Sequence, residues 1–276
     1  MIRAVSCSLL SAAALCQEPQ PIRLELVAGG LELQAAWEPL TDTVYGFDRS
    51  QPLVRDLAVA KQRQRHDASA FRVFLPAGPV AVGDVWRVDV RAALPLLRQL
   101  HPGATHAMHH GFAVAAPGGF GCLRAVDEAH AEIRLRLHAD FLIDGDGTRG
   151  RSSWFTPAQF CGRLVVDRQS GAPVAFELAV PQQRANVDVN IATERGGMAD
   201  IGRVPRLGLR GGAFPALADG ATAIAERDAD ARLAERFYPC AAIEWHDLAA
   251  ARAEARATGK PLHVIALFGS LLDESC

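Results

Sequence analysis

The sequence predicts an α+β protein in which a β-rich antiparallel domain, residues 22–212, precedes an incomplete α/β segment at residues 241–276. The first observation is an alternation of apolar and polar side chains in several short runs, the longest of them at residues 132–141. A period of two is typical of strands with one buried and one solvated face, and such strands favour antiparallel sheets. The second observation is a change to a helical period near residue 228, which indicates a new structural unit.

Short turns between the alternating runs predict hairpins in the β-rich domain. Glycine-containing turns separate two pairs of runs, residues 22–27 from 31–33 and residues 163–167 from 174–178. Alternation also predicts half-buried strands at residues 71–75 and 85–90. The domain is therefore expected to consist mainly of strands that are adjacent in sequence and paired in space.

Helices are expected at residues 52–65, 94–100 and 228–237. Glycine and proline are frequent in residues 211–219, just before the helical period begins, and both residue types favour turns and loops. Residues 213–240 are therefore assigned to a linker and a helix.

The first 16 residues have the composition of a secretory signal peptide. Arg3 precedes an apolar run at residues 4–15, and Ala14 and Cys16 suit the −3 and −1 positions of a cleavage site. The run is shorter than the ~20 apolar residues that span a bilayer. Cleavage predicts an extracytoplasmic protein, periplasmic or secreted. A retained anchor, the one expected route to a membrane, and a wrongly assigned start are the alternatives.

Composition limits the function classes. The chain has 276 residues, of which 49% are hydrophobic, and a formal net charge of −2 at pH 7. This hydrophobic content supports a folded core and excludes general disorder. Because a nucleic-acid-binding domain usually carries a clear excess of basic residues, no nucleic-acid partner is expected.

Cysteine usage does not indicate a disulfide scaffold. The chain has six cysteines, and cleavage of the signal peptide would remove Cys7 and Cys16. An oxidising compartment would permit one bridge, for which Cys122 and Cys161 are the candidate pair. The alternative is that both are small buried apolar side chains.

The C-terminal segment begins with a strand and a helix. Residues 241–245 are a short apolar run, and Asp247 is placed to cap a helix over residues 248–257. Gly259 is expected to end this helix, and Pro261 prevents its continuation. The segment therefore opens with a strand–helix unit.

A near-continuous apolar run at residues 262–268 then predicts a strand buried on both faces, followed by a loop and Cys276. This is the order in which a thioredoxin-type domain presents its nucleophilic cysteine, normally at the N-terminus of the next helix, where the helix dipole lowers the thiol pKa. Residues 241–276 are therefore expected to be the N-terminal part of a thioredoxin-like domain, truncated at Cys276.

The residues of this segment also resemble a known family. Gly259-Lys260-Pro261-Leu262-His263-Val264-Ile265 and the sequence Leu-Phe-Gly-Ser-Leu-Leu-Asp-Glu-Ser-Cys at residues 267–276 are similar to the stretch of the selenoprotein N family that precedes its Ser-Cys-selenocysteine-Gly redox motif. Leu272 departs from the more familiar acidic residue, and the sequence has no calcium-binding EF-hand.

The resemblance implies that selenocysteine follows Cys276 and that the chain is truncated at the selenocysteine codon. It implies a selenium-dependent thiol-disulfide oxidoreductase that acts on thiol or disulfide substrates, proteins or small molecules. Cys276 would be catalytic as the resolving thiol, and the 276-residue form would be inactive. The alternative is that Cys276 is an incidental terminal residue.

Four histidines lie close together in the sequence and form a candidate metal site: His101, His106, His109 and His110. Neutral imidazoles at such spacings bind zinc or copper, and Met108 adds a soft ligand for copper. The stretch has no cysteine or acidic residue to complete a ligand set. A polar surface loop is therefore the alternative.

Two further polar patterns lie in the β-rich domain. Asp144 and Asp146 belong to a Gly-containing stretch that lacks the ligand positions of a calcium loop, so a hairpin turn is expected. Asn186, Asp188 and Asn190 lie on one face of a predicted strand, where they could meet a ligand or pack at a domain junction. A non-enzymatic extracytoplasmic binding or structural module is accordingly the alternative function.

Overall fold

The computed structural model describes residues 20–106, 118–144, 152–181, 186–194, 196–237 and 246–264. These residues form a β-rich fold of antiparallel sheets with few helices. The N-terminal segment 1–16, His109, His110 and Cys276 lie outside the described residues. In the described parts of the chain, no helix combines the length and the apolar composition needed to cross a membrane.

The strands are β1 (Gly30–Trp37), β2 (Arg63–Asp67), β3 (Val85–Arg87), β4 (Ala104–Thr105), β5 (Gly119–Val126), β6 (His130–Leu137), β7 (Asp140–Leu142), β8 (Trp154–Pro157), β9 (Phe160–Asp167), β10 (Ala172–Ala179), β11 (Val187–Thr193), β12 (Gly196–Gly202), β13 (Leu207–Gly212) and β14 (Thr222–Ala223). The helices are α1 (Phe47–Ser50), α2 (Pro52–Arg55), α3 (Ala68–Phe71), α4 (Val90–Leu97), α5 (Glu226–Phe237) and α6 (Leu248–Thr258), and a 3₁₀ turn spans Arg72–Phe74.

The described strands form two sheets. The large sheet has the order β14-β5-β6-β9-β10-β13-β1-β2, with β3 also paired to β5. The small sheet has the order β12-β11-β8-β7-β4. Every pairing in both sheets is antiparallel, which confirms the prediction made from the alternating runs.

The main core lies between the two sheets. Trp37 at the end of β1 packs against Phe141 of β7 and Phe155 of β8, with ring centroids 5.1 and 4.8 Å apart respectively. On the same face of the large sheet, Ile133 and Leu135 of β6 are buried. Full burial of such a side chain contributes roughly 1.5–3 kcal/mol, so this layer holds the sheets together.

Helix α5 covers part of the opposite face of the large sheet. Leu233 and Phe237 pack on Phe120 and Cys122 of β5. Arg134 of β6 donates hydrogen bonds to Asp230 of α5, the shortest 3.1 Å long. The helix assigned from the period change is therefore present and is attached to the sheet by apolar packing and by an ion pair.

The residues between β13 and α5, which the sequence assigns to the linker, also contact the large sheet. The guanidinium of Arg163 lies 3.6 Å from the centroid of the Phe214 ring. The backbone N–H of Ala218 donates to Asp127 Oδ2 over 3.1 Å. Further along, β14 pairs with β5 at the sheet edge.

Several local predictions are confirmed. β9 and β10 form the hairpin expected at residues 163–178. Helix α4 covers most of the segment expected at 94–100 but begins earlier, at Val90, because Asp89 caps it by accepting from the N–H of Arg91. Helix α6 begins after Asp247, which accepts from the N–H groups of Ala249 and Ala250, and it ends at a left-handed glycine, as the sequence predicts.

Three local predictions are wrong. Residues 22–27 form no hairpin with 31–33, because β1 pairs with β2 and β13 instead. Residues 71–74 are helical rather than extended, since Phe71 and Phe74, three positions apart, both pack on Phe176. The helix expected at 52–65 stops at Arg55, and β2 follows as an edge strand.

The thioredoxin-like part of the predicted fold is not confirmed. Residues 241–245 and 265–276 lie outside the described residues. Residues 262–264 form no strand, and the side chains of Leu262 and Val264 are 40% and 63% exposed. The prediction of a strand buried on both faces is therefore wrong for these three residues, and it is untested for residues 265–268.

A buried carboxylate fixes the loop that precedes α1 to the small sheet. Asp200 of β12 accepts hydrogen bonds from the backbone N–H groups of Tyr45, Phe47 and Ile201, which are 2.9, 3.0 and 2.9 Å long. Burial is the largest single influence on the pKa of Asp200 and raises it. The backbone donors together outweigh burial, so this pKa lies below its ordinary value.

We predict that Asp200→Asn lowers the free energy of unfolding by about 1–3 kcal/mol, because charge-assisted bonds to the loop are lost. The folded pKa lies below the unfolded value of about 3.9, so the ionised form stabilises the fold above that pH, and this contribution is lost as the pH falls through the folded pKa. Urea unfolding at neutral and acidic pH measures both effects. The exposed substitution Asp219→Asn is the control, and equal losses in the two variants would contradict the prediction.

Candidate functional site

The chain passes from the large sheet to the small sheet at a buried histidine–aspartate pair. β6 ends at Leu137, His138 and Ala139 follow, and β7 begins with Asp140. The side chains of His138 and Asp140 are 4% and 0% exposed. Because unpaired charges are very costly at such depth, these two groups have to satisfy each other.

Both ring nitrogens of His138 face oxygen atoms. Nε2 lies 3.1 Å from Asp140 Oδ1, and Nδ1 lies 3.2 Å from the carbonyl oxygen of Ala158. With Asp140 ionised, the ring donates from both nitrogens; with Asp140 protonated, Nε2 accepts and Nδ1 donates. In both states neither nitrogen has a lone pair for a substrate or a metal. The pair therefore positions the chain at the transition between the sheets.

His106 lies near this pair and packs against Gly118. A Cβ atom on Gly118 would come within 2.8 Å of His106 Nε2, so only glycine permits this approach. Burial is the main cause that lowers the pKa of His106, and the charge of His138 lowers it further. At neutral pH, His106 is thus mainly a neutral imidazole, the form that can bind a metal ion.

The other described member of the histidine cluster has a separate environment. His101 Nδ1 accepts from the backbone N–H of Gly103 over 3.1 Å, and its ring lies edge-on to Trp37 with centroids 6.0 Å apart. Burial lowers the pKa of His101. Within the described ranges, no three His, Cys, Asp or Glu side chains are grouped closely enough to hold a metal ion. The four-histidine metal site stays a prediction, because His109 and His110 are not among the described residues.

A row of polar side chains crosses one face of the small sheet. Asp140 is paired with Thr105, and Thr156 is paired with Asp188. The register of β7 with β8 places Asp140 beside Thr156, so these four residues follow one another across four strands. The row lies opposite the face through which Phe141 and Phe155 enter the core.

Residues 186–190 behave as their pattern predicts. Val187 and Val189 are fully buried, and Asn186, Asp188 and Asn190 are half-buried on the opposite face. Asn190 is paired with Trp154, which is also half-buried.

Asp140 was not predicted as part of this face, because the alternation at 132–141 looks like one strand and conceals the break at His138.

Asp144 follows β7, at the start of the connection to β8; Asp146 and the rest of the predicted turn lie outside the described residues. The carboxylate of Asp144 accepts from the backbone N–H and from the hydroxyl of Ser153, over 2.6 and 2.8 Å. These bonds join the two ends of the connection between β7 and β8, which are paired antiparallel. Both carboxylate oxygens are thus used within the turn.

The described cysteines do not form the bridge that the sequence left open. Cys122 lies on β5 and Cys161 on β9, with β6 between them. Two strand spacings amount to about 9.6 Å, beyond the ~7 Å that a disulfide spans between Cα atoms. Cys122 is a buried free thiol, and burial raises its pKa to about 11. Cys240 and Cys276 lie outside the described residues.

The fold and these sites define a β-rich antiparallel module that carries a buried polar junction. No family model and no solved structure matches the chain significantly. The chain is 27% identical over 262 residues to selenoprotein N of Danio rerio, which covers 76% of this chain and 47% of that protein. The selenoproteins N of Homo sapiens and Mus musculus are 27% and 28% identical over 194 residues, covering 59% of this chain and 32% and 34% of theirs.

These matches confirm the resemblance stated from the C-terminal residues: the chain is a selenoprotein N-like protein. The chain spans less than half the length of these relatives. The matched share of the chain is far larger than residues 241–276 alone can supply, so the similarity extends into the β-rich domain. No short motif in that domain indicated this relationship.

We predict that Cys122 does not react with iodoacetamide in the folded protein at neutral pH. Only the thiolate is nucleophilic, and a pKa of about 11 together with the cover of α5 suppresses both its formation and its access. Mass spectrometry of the Cys122 peptide, after labelling with and without denaturant, measures this. Cys122→Ala identifies the peptide signal. Equal labelling of folded and unfolded protein would show that Cys122 is accessible.

Proposed function

We propose that the protein, in a full-length form with selenocysteine after Cys276, is an exported thiol-disulfide oxidoreductase. The observation that carries this proposal is the similarity to selenoprotein N, together with the resemblance of residues 259–276 to the stretch before that family's redox motif. The fold of the described residues is compatible with this proposal. The β-rich module ends in α5, which is attached to the large sheet, and the proposed redox segment follows α5 in the sequence.

The proposed reaction transfers two electrons to a substrate disulfide. The selenolate attacks one sulfur, a selenium–sulfur bond forms, and the other substrate sulfur leaves as a thiolate. Cys276 then attacks the selenium, so that the substrate's second thiolate leaves and a bond between Cys276 and selenocysteine remains. A thiol reductant has to restore the couple. In this scheme Cys276 is the resolving residue.

The described thiols support a redox centre located elsewhere than in the β-rich module. Cys122 is buried and weakly acidic, so it is a poor nucleophile. Cys161 is separated from Cys122 by strand β6, so the two thiols cannot form a disulfide with each other unless the sheet rearranges. The resemblance places the redox pair at Cys276 and the selenocysteine expected to follow it, outside the β-rich module.

The module has a defined role in this proposal as a rigid base. Arg134 forms ion pairs with Asp230 and, at 3.8 Å, with Glu226 of α5. Arg232 of the same helix donates to the carbonyl oxygen of Gly83 over 3.1 Å. These contacts fix α5 at several points, and the chain continues from this fixed helix towards the proposed redox segment.

A second candidate function is a non-enzymatic binding or structural module. The paired Trp154 and Asn190 support it, because a half-buried aromatic ring beside an amide suits a polar ligand. A function that does not depend on redox chemistry would survive the loss of Cys276.

Metal binding by the histidine cluster is tested separately, by metal analysis of protein purified without a tag.

We predict that the full-length, selenocysteine-containing protein reduces a model disulfide with a thiol reductant as electron source. Cys276→Ser should lower turnover strongly, because only the slower attack of the external thiol is then left to resolve the selenium–substrate bond, whereas Cys122→Ala should retain it. Spectrophotometric turnover of the two variants provides the comparison. Full activity of Cys276→Ser, or robust activity of the 276-residue form, would contradict the proposed role of Cys276.

A further inference from the structure

Four exposed apolar side chains belong to residues along one edge of the small sheet. Met198 and Ile201 belong to β12, the edge strand, and are 42% and 46% exposed. Val44 and Tyr45 are 69% and 76% exposed, and their backbone N–H groups bond to Ile201 O and to the Asp200 carboxylate. Because side chains alternate along a strand, Met198 and Ile201 point to opposite faces of the sheet, so exposed apolar side chains flank this edge on both faces.

The same edge is only half covered by backbone hydrogen bonds. Thr41 and Arg203 exchange two bonds of 2.7 and 2.9 Å, and Val44 donates to Ile201 O over 3.1 Å. Since strand residues alternate in direction, Gly197 and Ala199 also present their backbone N–H and C=O groups outward. Among the described residues, none bonds to these outward groups.

β12 lacks the usual protection of an exposed edge. Its sequence, GGMADIG, contains no proline, lysine or arginine, and its single charged side chain, Asp200, is buried. Natural proteins normally block open edges with such residues or cover them. An edge with open backbone groups and apolar side chains is suited to accept another strand.

The open part of the edge accepts only a short strand. It extends from Gly196, where the turn after β11 ends, to Ala199, beyond which Val44 occupies the place beside Ile201. A long extended peptide would collide with Val44 and Tyr45. A strand that begins directly after a tight turn would fit beside residues 196–199. β12 of a second copy is such a strand, because it begins directly after the turn that follows β11.

We propose that a second copy of this chain occupies the edge, with the two β12 strands paired antiparallel about a two-fold axis at Met198. This register is self-complementary, because Gly197 of each copy faces Ala199 of the other, and the four open donors and acceptors on each side pair with one another. The two Met198 side chains meet at the axis. Glu194 of each copy approaches the end of the partner strand, where Arg203 is exposed.

The interface is short, so the dimer is weak. Four residues on each strand bury less than the ~1,200 Å² at the lower limit of stable interfaces, so the pairing is of the weak, transient class. Association is therefore expected to depend on concentration.

Sedimentation equilibrium of the full chain over a range of concentrations tests the proposal. The wild type should pass from one chain to two, whereas Met198→Lys should stay monomeric, because two like charges meet at the axis. An equimolar mixture of Met198→Lys and Met198→Glu should associate again, since the charges are then opposite. Val27→Lys is the matched control and should associate like the wild type, because Val27 is an apolar residue that is 63% exposed and bonds to Gly171 beside β10 of the large sheet.

Unfolding free energies equal to that of the wild type show that the variants fold. A wild-type mass of one chain at all concentrations overturns the proposal. So does association of Met198→Lys with the wild-type dissociation constant, or a charge-swapped mixture that associates no better than either variant alone. Each of these results would mean that β12 does not pair about Met198.

Discussion

The fold depends on how the chain crosses from one sheet to the other without leaving buried polar groups unsatisfied. The crossing lies at His138 and Asp140, where the backbone leaves the ladder of β6 before β7 begins. The backbone N–H of His138 donates to Gly118 O, and its ring bonds Asp140 and the carbonyl of Ala158. Three segments thus meet at one residue. The aromatic contacts of Trp37 with Phe141 and Phe155 then hold β1 of the large sheet against β7 and β8 of the small sheet.

Both faces of the large sheet are packed against other parts of the chain, and neither carries the proposed redox chemistry. One face supplies the main core, and the other carries α5 and the buried thiol of Cys122. This arrangement makes Cys122 a packing residue, since burial disfavours its thiolate. The redox proposal therefore depends on Cys276 and on the similarity to selenoprotein N, while the described module provides the base to which that segment is connected.

The sequence predicts correctly those elements whose ends or turns are determined by neighbouring residues. The Asp247 cap with its Gly259 stop, and the β9–β10 hairpin, follow from neighbouring residues and are correct. Alternation at residues 22–27 predicts the burial of Leu24 and Leu26 but not their strand partners, because pairing depends on distant residues. Phe71 and Phe74 are helical because Phe176, a hundred positions away, packs against both. The polar row at Asp140 was missed for the same reason, since its other members, Thr105, Thr156 and Asp188, come from three other strands.

A double-mutant cycle on His138→Ala and Asp140→Ala measures how strongly the two side chains at the crossing depend on each other. Urea unfolding of the wild type, both single variants and the double variant yields the coupling free energy. If the pair holds the crossing together, each single variant loses about 3–5 kcal/mol, because one buried group is left without its partner. The double variant then loses less than the sum by about 1–3 kcal/mol. Additive losses would show that the two side chains act independently and would contradict the account.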